Sequence, residues 1–194
     1  MPIQKITREE IITRCVECFR IHGFHNTTMS DLAAACGLQK GSFYHYFASK
    51  DAILQEGLVQ TGRYFQEHVF VIAYNDAVPP QKRMKSMLEK HIAIMLRECG
   101  GCLVANIAAE ALTTNPDIKP LLVEVSNNWY AALRHILLAL HSPASAESRA
   151  WQIIQDIEGA IMLTRLYDNE LFLKQALKRS VGHCSVAAEN KSRS

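Results

Sequence analysis

The chain of 194 residues contains no uninterrupted apolar run long enough to span a bilayer. Its opening, Met1-Pro2-Ile3-Gln4-Lys5, lacks the charged-then-apolar order of a secretory signal. Both absences point to a cytoplasmic protein with no membrane partner. Net charge is also scarce, only +2, so whole-molecule electrostatics give no argument for nucleic acid and any basic footprint must be local. Strand-like alternation, internal repeats and low-complexity blocks are missing. There is no Gly-rich phosphate loop, no GxSxG elbow, no HExxH pair and no His/Cys set at zinc-finger spacing. No metal, no cofactor and no enzymatic activity are therefore expected.

What the chain does have is a hydrophobic content of 48%, that of a globular protein with a real core. Its apolar residues recur at helical spacing throughout, so the fold expected is all-α. Thr7 followed by Glu10 reads as a capping box leading into Ile11, Ile12, Cys15, Val16 and Phe19. That helix runs out at His22-Gly23. Ser49 caps a long helix expected to reach about Tyr74, before Pro79-Pro80. Further helices are expected over 81–98, 102–112, 116–140 and 146–167, with Asp168 capping a last one to about Val181. Three regions follow: 1–50, 51–183 and a flexible tail, 184–194.

The segment from Thr28 to Lys50 reads as a helix-turn-helix. Ser30 is a good N-cap ahead of Leu32, Ala33 and Ala35. Cys36-Gly37 ends that helix, since Gly37 tolerates a left-handed backbone, and Leu38 pins the turn. Gln39, Lys40, Gly41 and Ser42 then form the N-terminal turn of a second helix, where free N–H groups and the Lys40 charge favour phosphate. Phe43 and Phe47 are four apart and face a core. Ser42, Tyr44, His45 and Tyr46 are left pointing outward as hydrogen-bonding and stacking groups. Lys5, Arg8, Arg14, Arg20, Lys40 and Lys50 all lie in this N-terminal part, although Arg14 and Arg20 read better as solvated charges.

The elements GFHNTTMSDLA, GSFYHYF and SKDAIL, together in that order, resemble the TetR-type bacterial transcriptional repressors over roughly the first quarter of the chain. The resemblance implies a three-helix DNA-binding domain followed by a helical domain for ligand binding and dimerisation. It implies a homodimer on palindromic operator DNA, released by an unidentified small-molecule effector. It places Thr28, Lys40, Gly41, Ser42, Tyr44, His45, Tyr46 and Lys50 near DNA, Lys50 as a phosphate contact.

In the C-terminal part Trp151, Ile154, Ile157 and Ile161 belong to a helix apolar on more than one side, which fits either a partner helix or a central position in its own domain; the resemblance favours dimerisation. Cys15, Cys18 and Cys36 read as packed thiols, and six cysteines in a reduced compartment are no disulfide framework. Cys99-Gly100-Gly101-Cys102 falls at a break between helices, with Cys102 at the next helix start, where a thiolate sensor and a buried thiol beside a glycine turn are both open readings. GCLVANIAAE resembles a branch of the family in which some members respond to electrophiles or oxidants through a cysteine near this place. Asn106, Glu110, Trp129, Tyr130 and His91 are candidate effector-lining groups. Two other functions stand beside the regulator: an all-helical thiol oxidoreductase using Cys99 and Cys102, and a helical interaction module without DNA. A variant of the regulator is induced by covalent thiol modification.

Overall fold

The computed structural model describes residues 6–97 and 100–185. Lys5, Cys99 and the residues after Ser185 lie outside the described residues. No strand occurs among those described. The helices are α1 (Arg8–His22), α2 (Met29–Ala35), α3 (Lys40–Tyr44), α4 (Lys50–His68), α5 (Pro80–Met95), α6 (Leu103–Ala111), α7 (Lys119–Leu138), α8 (Pro143–Tyr167) and α9 (Leu171–Gly182). Short 3₁₀ segments cover Phe70–Tyr74 and Pro116–Ile118.

The chain divides into two compact units, residues 1–66 with 95–127, and residues 67–94 with 128–194. The division is not at Lys50, because α6 packs against α1. In the first unit Ile11, Phe19, Leu32, Phe43, Leu54 and Ile107 share one fully buried core. α4 lies close on α1, since a Cβ on Gly57 would come within 2.6 Å of a Val16 methyl carbon.

Local chemistry explains several helix ends. Thr7 caps α1 in the expected box with Glu10, and Ser49 Oγ accepts the Ala52 N–H at 3.1 Å to open α4. Thr28, rather than Ser30, caps α2. Its hydroxyl accepts the Asp31 N–H while Asp31 accepts the Thr28 N–H, a second capping box. Asp168 does not cap the last helix either. It ends α8 in the left-handed conformation (φ 49°, ψ 39°), and Asn169 Oδ1 accepts the Leu171 N–H at 2.9 Å to start α9.

The second unit buries Met84, Met87 and Leu88 of α5, Leu133, Ile136 and Leu137 of α7, and Ile153, Ile157 and Ile161 of α8. α8 and α9 form its most extensive helix pair. Cys184, expected in a loose tail, is buried.

Candidate DNA-reading surface

Leu38 N–H donates to Ala33 O at 2.9 Å across the turn, and Gly37 stands at φ +69°. The chain thereby enters α3 with Gln39 as N-cap. Phe43 and Phe47 are 0% and 2% exposed, with ring centroids 5.7 Å apart, and anchor the reading helix to the core. Gln39, Lys40, Gly41, Ser42, Tyr44 and His45 are all exposed. Tyr46 is half-buried against the core rather than fully outward. With five residues α3 is short, so its dipole is weak and the Lys40 charge is the stronger positive group at its start.

Thr28 is exposed, yet its hydroxyl donates to Asp31 Oδ2 at 2.6 Å. These bonds hold the Asp31 carboxyl below its usual range, the Thr28 side chain first and its amide second. Lys50 differs more from expectation. Its ammonium donates to Phe24 O at 2.7 Å and Thr27 O at 3.0 Å, and sits 4.3 Å from the Phe24 ring centroid. Two of its three N–H bonds are thus used inside the fold, fixing the α1–α2 turn.

The structure adds residues that spacing did not single out as functional. Arg8 donates to Glu56 and, at 2.7 Å, to Tyr46 O, and lies 4.3 Å from the Phe47 ring centroid. It clamps α1 to the end of the reading helix. Arg20, read as a solvated charge, is 7% exposed. Its guanidinium donates to Met95 O, Arg97 O and the Glu17 carboxylate. Only the Glu17 pairing, three residues away, leaves a trace in the sequence.

Asn106 and Glu110 lie on one side of α6, one turn apart. Asn106 Nδ2 donates to Gly100 O at 2.8 Å and Arg20 O at 3.3 Å. The Glu110 carboxylate accepts the Phe24 and His25 N–H groups, and His25 Nε2 lies 2.8 Å from Glu110 O. Both side chains thus brace the head. Cys102 is the N-cap of α6 and is buried. The Cys99–Cys102 pairing cannot be drawn, since Cys99 lies outside the described residues.

Trp129 and Tyr130 belong to the second unit and enter different stacks. Trp129 is buried, its ring centroid 4.2 Å from that of His91, which in turn stacks on Phe70 at 6.1 Å. Burial pushes His91 down to about 3, so the imidazole is neutral at pH 7. Tyr130 stacks on Trp151 at 4.7 Å.

Of the residues expected at a dimer face, Ile157 and Ile161 are buried within the chain's own fold, and Ile154 is half-buried. Trp151 is exposed. The apolar groups most open to solvent on this side are instead Met162, Leu166, Tyr167 and Leu171, at 53–65% exposure. Among the described residues no group of three or more His, Cys, Asp or Glu is placed to hold a metal, and no helix is long and apolar enough to cross a membrane.

Comparison with known proteins accounts for both parts of the chain. Residues 11–56 match the bacterial regulatory proteins of the tetR family. Residues 80–179 match the C-terminal domain of LmrA/YxaF-like transcriptional regulators. The chain is 22% identical over 176 residues to the HTH-type transcriptional repressor DhaR of Mycobacterium sp. (strain GP1), covering 88% of each. It is 23% identical over 162 residues to the uncharacterized HTH-type transcriptional regulator YxaF of Bacillus subtilis (strain 168), covering 81% of this chain and 84% of YxaF.

Its fold is that of a TetR transcriptional regulator from Legionella pneumophila (TM-score 0.84, 20% identity, 93% and 97% of the two chains). It also matches reduced E. coli NemR (TM-score 0.80, 18% identity, 93% and 98%). A helix-turn-helix with an exposed reading helix, joined to a helical second part, defines a DNA-binding transcriptional regulator. The chain belongs to the TetR family, with a C-terminal domain of the LmrA/YxaF-like kind. The thiol-oxidoreductase alternative finds no support among these relatives.

Proposed function

We propose that the protein is a dimeric repressor that reads a palindromic operator through Gln39, Lys40, Gly41, Ser42, Tyr44 and His45, and releases it when a small molecule binds the C-terminal domain. The observation that carries this reading is the split of α3. Phe43 and Phe47 are buried while every polar residue from Gln39 to Ser42, with Tyr44 and His45, faces solvent. Lys40 supplies phosphate attraction, and Ser42 and His45 are placed for base edges.

Dimerisation uses the exposed apolar groups of α8 and α9, since an isologous pairing of those faces buries Met162, Leu166 and Leu171 on both copies at once. Two reading helices are then set about 34 Å apart, one turn of B-DNA. The effector acts reversibly, a reading supported by the burial of Cys102, which closes that thiol to a compound much larger than water or peroxide. Trp129 Nε1 is buried with no hydrogen-bond partner among the described residues, a donor that an effector's acceptor would satisfy. DNA and effector binding are linked, so each must weaken the other by the same factor. α6 is the natural route, because it lies within the matched C-terminal domain and also braces the α1–α2 turn through Glu110.

The test is selection from a randomised duplex pool followed by binding at several salt concentrations. A two-fold symmetric consensus, bound by a dimer with affinity falling steeply in salt, is expected. Retention of no duplex, or of an asymmetric one by a monomer, would overturn the reading. Lys40→Ala should make the salt slope shallower on every duplex, and Ser42→Ala or His45→Ala should change preference among operator variants.

A further inference from the structure

The function above makes no use of the thiols in the DNA-reading head. Cys15 lies on α1 and Cys36 is the C-cap of α2, and their Sγ atoms are 3.9 Å apart. Both are buried, at 0% and 4% exposure. Their hydrogen-bond order follows from a third group. The Cys36 S–H points to Ile11 O at 3.8 Å, which leaves the Cys15 S–H to donate to Cys36 Sγ. A sulfur that receives such a bond is favoured as thiolate. Cys36 accordingly sits below the ordinary thiol range: the Cys15 bond lowers it most, burial opposes that, and the Arg14 charge adds a smaller lowering. Cys15 is pushed up by donating that bond and by burial.

We propose that Cys15 and Cys36 form a reversible disulfide that switches the DNA-reading head, with hydrogen peroxide as the oxidant; the switch rests on the DNA-binding reading above. The Cys36 thiolate attacks one peroxide oxygen, the O–O bond breaks, and the departing hydroxide takes up the proton that Cys36 released, leaving Cys36 as a sulfenic acid and one water. Cys15 Sγ then attacks the Cys36 sulfur. The S–O bond breaks, and the leaving hydroxyl takes the Cys15 proton to form a second water. Two thiols lose two electrons in all, and one peroxide becomes two waters. Peroxide is little larger than water and reaches Cys36 when the last turn of α2, only seven residues long, frays.

The consequence for DNA follows from position. The sulfurs must close from 3.9 Å to about 2.05 Å, drawing the end of α2 toward α1. Only Gly37, Leu38 and Gln39 separate Cys36 from α3. Phe43 is fixed in the core at 0% exposure, so α3 cannot simply follow and its exposed side tilts. The pair differs from Cys18, which is half-buried and raised chiefly by burial, and from Cys102 in a different helix.

The experiment uses the full chain and a duplex selected from a randomised pool. Binding is measured for the reduced protein, after hydrogen peroxide, and after dithiothreitol, while unreduced digests are mapped by mass spectrometry. A linked Cys15–Cys36 peptide, lighter by two hydrogens than the free pair, is expected together with a loss of affinity of about tenfold to a hundredfold, as for one or two lost base contacts. Dithiothreitol should reverse both. Cys36→Ala should bind as the reduced protein does and lose the response, and Cys18→Ser and Cys102→Ser should keep it. If Cys36→Ala fails to fold, the mapped peptide and the two serine variants still decide. A disulfide or sulfenic acid confined to other cysteines, or a Cys15–Cys36 disulfide that leaves affinity unchanged, overturns the switch. Failure of the reduced protein to retain any duplex overturns the DNA-binding reading itself, and the switch with it.

Discussion

Glu110 Oε2 accepts the Phe24 N–H at 2.8 Å, although the two residues are 86 positions apart. The same oxygen lies 3.3 Å from the His25 N–H donor. A helix of the C-terminal family domain therefore caps the turn that leads into the helix-turn-helix.

Glu110→Ala removes a charged acceptor from two backbone donors and should cost about 1.5–3 kcal/mol of stability. Glu110→Gln, which keeps one acceptor, should cost less. Urea unfolding of the full chain measures both. Equal stability of wild type and Glu110→Ala would show that water replaces the carboxylate without loss.

Gly23→Ala tests the same corner from the other side. Gly23 stands at φ +83°, and an added Cβ would come within 2.9 Å of Glu110 Oε1. Backbone strain of about 1–3 kcal/mol and displacement of Glu110 should act together. In the Glu110→Ala background the substitution should cost less, since only the backbone strain remains. A double-mutant cycle in thermal or urea unfolding reads the difference.

Lys50→Met keeps the stem of the side chain and removes the ammonium. Loss of the bonds to Phe24 O and Thr27 O should lower stability by about 1–3 kcal/mol. The slope of DNA affinity against salt should stay close to that of the wild type, in contrast to Lys40→Ala. A slope shallower by about one counterion, with stability unchanged, would return Lys50 to a phosphate role.

Met162→Glu with Leu166→Glu should give a folded monomer, because both positions are largely exposed on the single chain and charge is costly only when a partner buries it. Ile157→Glu should instead unfold the second unit, since Ile157 is 0% exposed without any partner. Sedimentation and circular dichroism separate the outcomes. A Met162/Leu166 double variant that remained a dimer would place the interface elsewhere.

His91 gives the pH dependence. Its folded value, pushed down to about 3 by burial, lies below the value near 6.5 expected for an unfolded chain. Below about pH 6.5 the unfolded state binds a proton that the folded state excludes, so stability falls with acid. This contribution is fully present above that pH and is lost progressively down to about pH 3, at up to roughly 1.4 kcal/mol per pH unit. His91→Phe, which preserves a flat ring between Phe70 and Trp129, should flatten the acid limb of the stability profile. An unchanged limb would mean that other groups carry it.

Local sequence determined the local structure. The Thr7/Glu10 box, the Gly37 turn, the Ser49 cap and the Phe43/Phe47 pair are encounters between residues no more than five apart, and such pairs meet whatever the rest of the chain does. α3 and its buried side were legible for that reason, and so was the all-helical class. Where two local solutions competed, spacing chose less well. Thr28 outbids Ser30 as a cap because Asp31 stands three residues after Thr28 and completes a reciprocal box.

Only the tertiary structure decided which charges and apolar groups are free. Arg20 and Lys50 look like surface cations in the sequence, but carbonyls at Met95 and Arg97, and at Phe24 and Thr27, accept their N–H bonds. Those partners lie 23 to 77 positions away. Ile157 and Met162 are both apolar, yet the chain buries one and exposes the other, because burial depends on which side of α8 faces α9 and the core. Cys15 and Cys36, 21 positions apart, are likewise brought together only by the packing of α1 on α2. Helical periodicity says that a face is apolar. It does not say what covers that face, and that is settled by contacts between segments distant in the chain.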